Sequence, residues 1–248
     1  MPPLGMHLTF ARDAFPHLED GLKGCRGYYL FGATLPDMHL IAGFARQHTH
    51  YVELGQEEGG QEIDRFFRAN PHLARSRNHR PTRALAAGYL SHLVMDGTWI
   101  ARIYRPYFGP DSSLSGDPLA NLLDRLLQYE LDRREREELG GMAALVRDIG
   151  LVSWDEEAPL FEEDSLMRWQ TFVMDAAVRP HTWDRFPVFI RHYASQRPDL
   201  TEAQVEQFLS DRPRRLAWVL DHVLPEALDT FRHEALQESL RVARERLW

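Results

Sequence analysis

Apolar residues recur at three- and four-residue spacing along almost the whole chain, whereas runs alternating β-branched with polar residues are nearly absent. That periodicity suits helices and offers no candidate sheet, so the expected fold class is all-α. The predicted helices span 6–22, 29–45, 61–75, 81–105, 117–148, 160–178, 184–196, 201–210 and 212–247. Pro81, Pro106, Pro110, Pro118, Pro180 and Pro198 fall at the breaks between them or at a helix start, and Pro71 close to the end of 61–75, as residues that cannot continue a helix should. Pro36 and Pro225 fall inside. Pro36 should interrupt its helix and turn the following Asp37 inward, and Pro225 should kink or break the last helix.

One segment conflicts with itself. In RALAAGYLSHLVMDGTWIARIY (83–104) the residues Leu85, Ala86, Ala87, Leu90, Leu93, Val94, Met95, Trp99 and Ile100 leave almost no polar face, so a central helix buried on most sides is expected. It nonetheless carries His92 and Asp96, four residues apart and therefore on one face. An ionised carboxylate there costs several kcal/mol unless a cation or several donors compensate it. A metal ion would serve; an ordinary ion pair inside a core is the plainer explanation of such a pair taken alone.

Other polar residues sit in similarly odd places. Asp37 interrupts the apolar run YYLFGATLPDMHLIAGFA (28–45), and His48 and His50 flank a threonine in RQHTHY (46–51). In an extended segment both imidazoles would face the same way; in a helix they diverge, and one alone would be a ligand. His7 lies among Met6, Leu8, Phe10 and Ala11. The single cysteine, Cys25, excludes an intramolecular disulfide and any CxxC site, so a metal would have to be held by imidazole and carboxylate. Zinc accepts such ligands, as do iron and manganese.

The order His7, LPD at 35–37, THY at 49–51 and GYLSHLVMDGTW at 88–99 resembles the bacterial zinc-dependent phospholipase C family, whose helical metal-site architecture is shared with the S1/P1 nucleases. The resemblance covers roughly the first 105 residues and implies a phospholipase C/P1 nuclease-like helical bundle around a central buried helix. It also implies that Asp37, His50, His92 and Asp96 hold one zinc, and that His7 belongs to a neighbouring site sharing Asp96, giving one or two ions. The family's remaining site uses two later histidines and a glutamate as H-x-x-x-E. No histidine occurs here between His92 and His181, and the candidate by spacing, His222 with Glu226, encloses Pro225. The chain looks closer to the intracellular branch that keeps the N-terminal motifs and differs in its C-terminal half.

The remaining expectations are broader. A formal net charge of −8 gives no strong nucleic-acid signal. No stretch reaches a membrane span of about 20 apolar residues, and the N-terminus does not read as a secretory signal, so a cytoplasmic location is expected. The charged segment 122–141 reads as a solvated helix face. With no repeat or low-complexity linker, 1–248 reads as a single helical domain, metal motifs in 1–105 and a C-terminal helical portion from about 160. The expected function is metal-dependent hydrolysis of a small-molecule phosphoester through an activated water; such chemistry usually needs a cation for the phosphate, and Arg46 and Arg102 lie near His50 and Asp96 in sequence, although an exposed arginine is the plainer reading of either. The different-class reading is a non-catalytic helical protein with a structural metal or a ligand- or partner-binding cleft. An HD-type phosphohydrolase is set aside, because the chain contains no His-Asp dipeptide.

Overall fold

A computed structural model describes residues 2–18, 22–43, 45–52, 61–74, 79–153 and 160–248. The described residues are helical with no strand: α1 Leu4–Ala14, α2 Arg26–Gly32, α3 Gln61–Ala69, α4 Arg80–Trp99, α5 Ala120–Glu138, α6 Ala143–Gly150, α7 Glu163–Val178, α8 Phe186–Ala194, α9 Glu202–Ser210, α10 Arg212–His222 and α11 Pro225–Leu247. Single turns at Leu35–Met38, His39–Ala42 and Gln47–His50 connect α2 towards α3. None of the described helices is long and apolar enough to cross a membrane.

Helix α4 is the central element expected from its apolar circumference. Leu90, Leu93 and Val94 are all buried, and α2 and α11 are its main packing partners. Each fully buried leucine or aromatic side chain on it contributes about 1.5–3 kcal/mol of transfer free energy. Trp99 closes the end of the helix, its ring edge-on to Phe231 at 5.2 Å and its Nε1 donating to Asp124 Oδ1 at 3.0 Å. Beyond it the helix widens into a π-helical turn at Ile100–Tyr104.

The crossing of α2 on α4 depends on two glycines. A Cβ at Gly32 would collide with the backbone of Leu85, and one at Gly88 with the Tyr29 carbonyl oxygen. This approach brings the Ala33 carbonyl, just past α2, to 2.8 Å from His92 Nδ1 on α4. Gly88→Ala is therefore expected to destabilise the fold by about 1–3 kcal/mol. Chemical denaturation checks this; a variant of unchanged stability would show that the crossing tolerates a methyl group.

Several expected helices are shorter than their apolar pattern. The one expected over 29–45 ends at Gly32, because Pro36 starts a 3-10 turn at Leu35–Met38 and Gly43 takes a left-handed φ of 72°. The one expected over 117–148 is two helices, split at Gly140 and Gly141, whose φ values are 62° and 104°. Pro225 breaks the helix expected over 212–247, as its position required: that stretch is two helices, α10 and α11, and Pro225 stands at the first position of the second, where the missing N–H costs nothing. The N-terminal helix stops at Ala14 and gives way to a 3-10 turn containing Pro16. Part of the loose boundary expected over 149–160 lies outside the described residues, and the buried side chains form one cluster running from Met6 to Leu247.

Candidate metal centre

Four separate elements aim the polar side chains at one point. Helix α1 is buried along nearly its whole length and carries His7 inward with Met6, Leu8 and Phe10. Helix α4 supplies His92 and Asp96, one turn apart. The 3-10 turn that Pro36 starts presents Asp37. His50 ends the turn Gln47–His50, after which Tyr51 adopts a left-handed φ of 59°. That conformation costs a residue with a Cβ on the order of 1 kcal/mol or more. Three contacts hold it: Arg65 Nη1 donates to the Tyr51 carbonyl at 3.0 Å, Asn70 Nδ2 to the Tyr51 hydroxyl at 3.1 Å, and the Tyr89 hydroxyl to the Thr49 carbonyl.

The donor atoms are spaced as ligands of one ion would be. His50 Nε2 lies 3.3 Å from His92 Nε2, 3.4 Å from Asp96 Oδ2 and 3.7 Å from Asp37 Oδ1. His92 Nε2 lies 3.5 Å from Asp96 Oδ2 and 3.9 Å from Asp37 Oδ1. Ligand atoms about 2.0–2.1 Å from a tetrahedral zinc stand roughly 3.3–3.4 Å apart, and these five separations are of that size or slightly longer. The other Asp96 oxygen, Oδ1, turns the opposite way, to 3.4 Å from His7 Nε2. The His7 and His92 rings stack at 3.6 Å with an interplanar angle of 8°.

Hydrogen bonds fix which nitrogen each ring offers. His92 Nδ1 donates to the Ala33 carbonyl, which turns Nε2 towards the cluster. Thr49 Oγ1 gives its proton to the Arg46 carbonyl at 3.1 Å and so accepts from His50 Nδ1 at 3.2 Å, leaving the His50 Nε2 lone pair free for an ion. Both nitrogens of His7 and Oδ1 of Asp96 are buried without a hydrogen-bond partner among the described residues. Buried polar atoms are rarely left so, and an ion between His7 Nε2 and Asp96 Oδ1 would satisfy those two. The donor set, imidazole and carboxylate without thiolate, fits zinc.

Charge in the cluster favours the same conclusion. Burial pushes His50 down to about 4 and lowers His7 as well, so both rings are neutral bases. For His92 burial also acts downward, but Asp96 and Asp37 outweigh it and raise the ring. Burial would raise both carboxylates; the neighbouring imidazoles, His92 first, hold Asp37 below its ordinary value and Asp96 well below it. The metal-free cluster thus keeps a proton on His92, where a dication would replace it. The stability that this raised ring gives the metal-free fold is fully present below pH 6.5, its ordinary value, and is lost as pH rises through the raised one. Zinc must displace the proton, so zinc affinity is expected to fall by about tenfold per pH unit below the raised value, and the thermal stabilisation by zinc to be larger at alkaline than at acidic pH. Titration calorimetry in buffers of different ionisation enthalpy would detect the released proton; affinity independent of pH across neutrality would contradict this.

The cluster is accessible from two sides. Asp37 keeps 18% of its side chain exposed and lines, with His39 and Arg46, a cleft of about 590 Å³. A smaller pocket reaches His50 and Asp96 past Glu62 and Arg105. Arg46 borders both, its Nη2 3.3 Å from Asp96 Oδ2. Arg102, the other cation expected near the site, instead pairs with Glu234 at 2.6 Å. His48 is exposed on the turn that buries His50, the divergence expected of H-x-H in a helix. His222 bonds the Tyr107 carbonyl at 3.0 Å and stacks on Trp218, and Glu226 is exposed; neither belongs to the cluster. His39 was not singled out by the sequence. Its Nδ1 donates to the Pro36 carbonyl at 3.0 Å and its ring sits edge-on to His50 at 5.3 Å; its place two residues after Asp37 was the only available signal.

Among the described residues two groups could hold an ion: His7, His92 and Asp96, and Asp37, His50 and His92. The family model described as zinc dependent phospholipase C matches residues 6–99, the stretch containing all five expected ligands. No curated protein and no solved structure matches the chain.

Proposed function

We propose, from the match of residues 6–99 to the family model described as zinc dependent phospholipase C, that the chain is a metal-dependent phosphoester hydrolase. Asp37, His50, His92 and Asp96 hold one zinc, and His7 with the second oxygen of Asp96 serves a neighbouring ion. The observation that carries this reading is the set of donor spacings of 3.3–3.9 Å in a cluster whose Asp37 side opens on a cleft. Bound zinc supplies a water whose pKa falls towards 7 and a Lewis acid for the phosphoryl oxygen.

The chain's own residues supply the rest. Hydrolysis joins the water oxygen to phosphorus, breaks the bond from phosphorus to the ester oxygen, and leaves the proton on the released alcohol. Arg46, already beside Asp96, offers a planar guanidinium to a phosphoryl oxygen entering from either side. His39, with Nδ1–H anchored on Pro36, keeps Nε2 as the acceptor nitrogen for a proton at the cleft wall. The buried surroundings of His7, His50 and His92 exclude bulk water from the ligand side.

A second reading has its own support: four protein donors already saturate a tetrahedral zinc, as structural sites do. The position between His7 and Asp96 Oδ1 has fewer protein donors and would keep open coordination. Metal content by elemental analysis, followed by assays of the metal-free, zinc and manganese forms against bis(p-nitrophenyl) phosphate, phosphatidylcholine and single-stranded DNA, separates the two. Turnover that disappears on chelation and returns with metal supports the hydrolase; one tightly held zinc with every form inert supports the structural reading.

A further inference from the structure

Helix α4 contains a glycine that its packing does not explain. Gly97 follows Asp96 directly, in a continuous helical stretch where glycine is less favourable than alanine. Gly32 and Gly88 stand where a Cβ would strike the facing backbone, but a Cβ at Gly97 would meet, among the described residues, only Glu62 Oε1 at an ordinary 3.5 Å. Its φ is not left-handed either. What the missing side chain leaves is room, because Gly97 lines the small pocket that reaches His50 and Asp96.

That pocket has a volume of about 90 Å³, smaller than the roughly 150 Å³ cavity that admits benzene, so its occupant has only a few heavy atoms. Val52, Leu93, Ile100 and Ala101 supply hydrocarbon wall, and Arg46, Glu62 and Arg105 share the lining. The π-helical turn Ile100–Tyr104 starts at this wall, and such turns recur at functional sites. Pocket and cleft meet the centre at different ligands: the cleft reaches Asp37, the pocket reaches His50 and Asp96, and of the described lining residues they share only Arg46. Phosphoryl transfer sets the attacking and leaving oxygens roughly in line through phosphorus. An ester arm that departs into the broad cleft therefore needs its water on another side of the centre, where this pocket offers a space of matching size.

We propose that the pocket is a small-ligand subsite of the metal centre: it holds the attacking water during hydrolysis, takes other ligands of a few heavy atoms in its place, and owes its room to Gly97. The subsite rests on the metal centre; the use of its water rests on the hydrolase reading. In that step the water oxygen bonds to phosphorus, the bond from phosphorus to the ester oxygen breaks, and the proton ends on the released alcohol.

The test compares two anions on the zinc-loaded full chain by calorimetry, which needs no turnover. Azide is small enough for the pocket, whereas phenylphosphonate exceeds it and enters by the cleft. In Gly97→Val the new side chain fills the space beside Asp96, so azide affinity should fall about tenfold while phenylphosphonate affinity stays within about twofold and zinc content is unchanged. For bis(p-nitrophenyl) phosphate the same variant should lose about tenfold in kcat with KM within about threefold. Ala101→Leu, at an exposed position one helical turn further on, fills the pocket from a neighbouring point and carries the test should Gly97→Val fold poorly or lose zinc. Azide that does not bind the wild type, or binds both variants as tightly as the wild type, overturns the subsite. Equal loss of azide and phenylphosphonate with zinc retained shows one shared binding space and overturns it too. Selective loss of azide with kcat unchanged keeps the subsite and overturns its use by the attacking water. Selective loss of azide in a chain inert in every metal form supports the subsite and sinks the hydrolase reading alone.

Discussion

His92→Ala is expected to abolish stoichiometric zinc binding and to destabilise the metal-free fold by about 3–5 kcal/mol, the range for removing one partner of a buried charge pair. Three losses coincide at this position. Asp96, buried and held far below its ordinary pKa chiefly by His92, keeps its charge without that cation. The Ala33 carbonyl loses the donor at 2.8 Å that ties the end of α2 to α4. His7 loses the ring stacked on it at 3.6 Å, which leaves a cavity. Metal analysis and chemical denaturation report the two effects separately. Retention of zinc at wild-type stoichiometry would remove His92 from the ligand set and with it the proposed centre.

Asp96→Asn is expected to reduce zinc-dependent hydrolysis of bis(p-nitrophenyl) phosphate by more than 100-fold, since residues that merely orient metal ligands already cost about 10–100-fold when changed. The size follows from geometry: one carboxylate offers Oδ2 to the His50 and His92 side and Oδ1 to the His7 side. An amide keeps the shape but loses the charge, and its nitrogen donates where a ligand must accept. Stability should fall as well, because the substitution leaves Arg46 and the raised ring of His92 without the carboxylate that faces both. Kinetics of the metal-saturated variant beside the wild type check this. Activity within a few-fold of the wild type would exclude a bridging role for Asp96.

The sequence carried the chemistry of the centre further than its surroundings. His92 and Asp96 were legible because their conflict is local: two polar groups on one face of a helix with no other polar face. Asp37 was legible through Pro36, which must break whatever helix contains it. His7 and His50 gained weight only as members of an ordered set of motifs, and the structure brings their nitrogens within 3.4 Å of Asp96. Arg46 could be suggested as a neighbour but not placed, and Arg102, suggested on the same grounds, points away to Glu234. His39 carried no pattern that separates a cleft residue from a surface one.

Helix class, the pairing of His92 with Asp96, the necessity of N and O ligands and the turn at Pro36 follow from the sequence alone, because each depends on backbone geometry within one or two turns or on which residue types are present. Helix ends were less secure: the apolar period continues through Gly140 and Gly141, and only their left-handed φ values end α5. The spacing of the ligands, the direction of each imidazole and the lining of the cleft belong to the tertiary structure. They depend on contacts between residues distant in the chain, such as Ala33 with His92 or Gly88 with Tyr29, whose distances no local rule sets. Close packing decides them, since even one added methyl group at the α2–α4 crossing would meet the backbone of the facing helix.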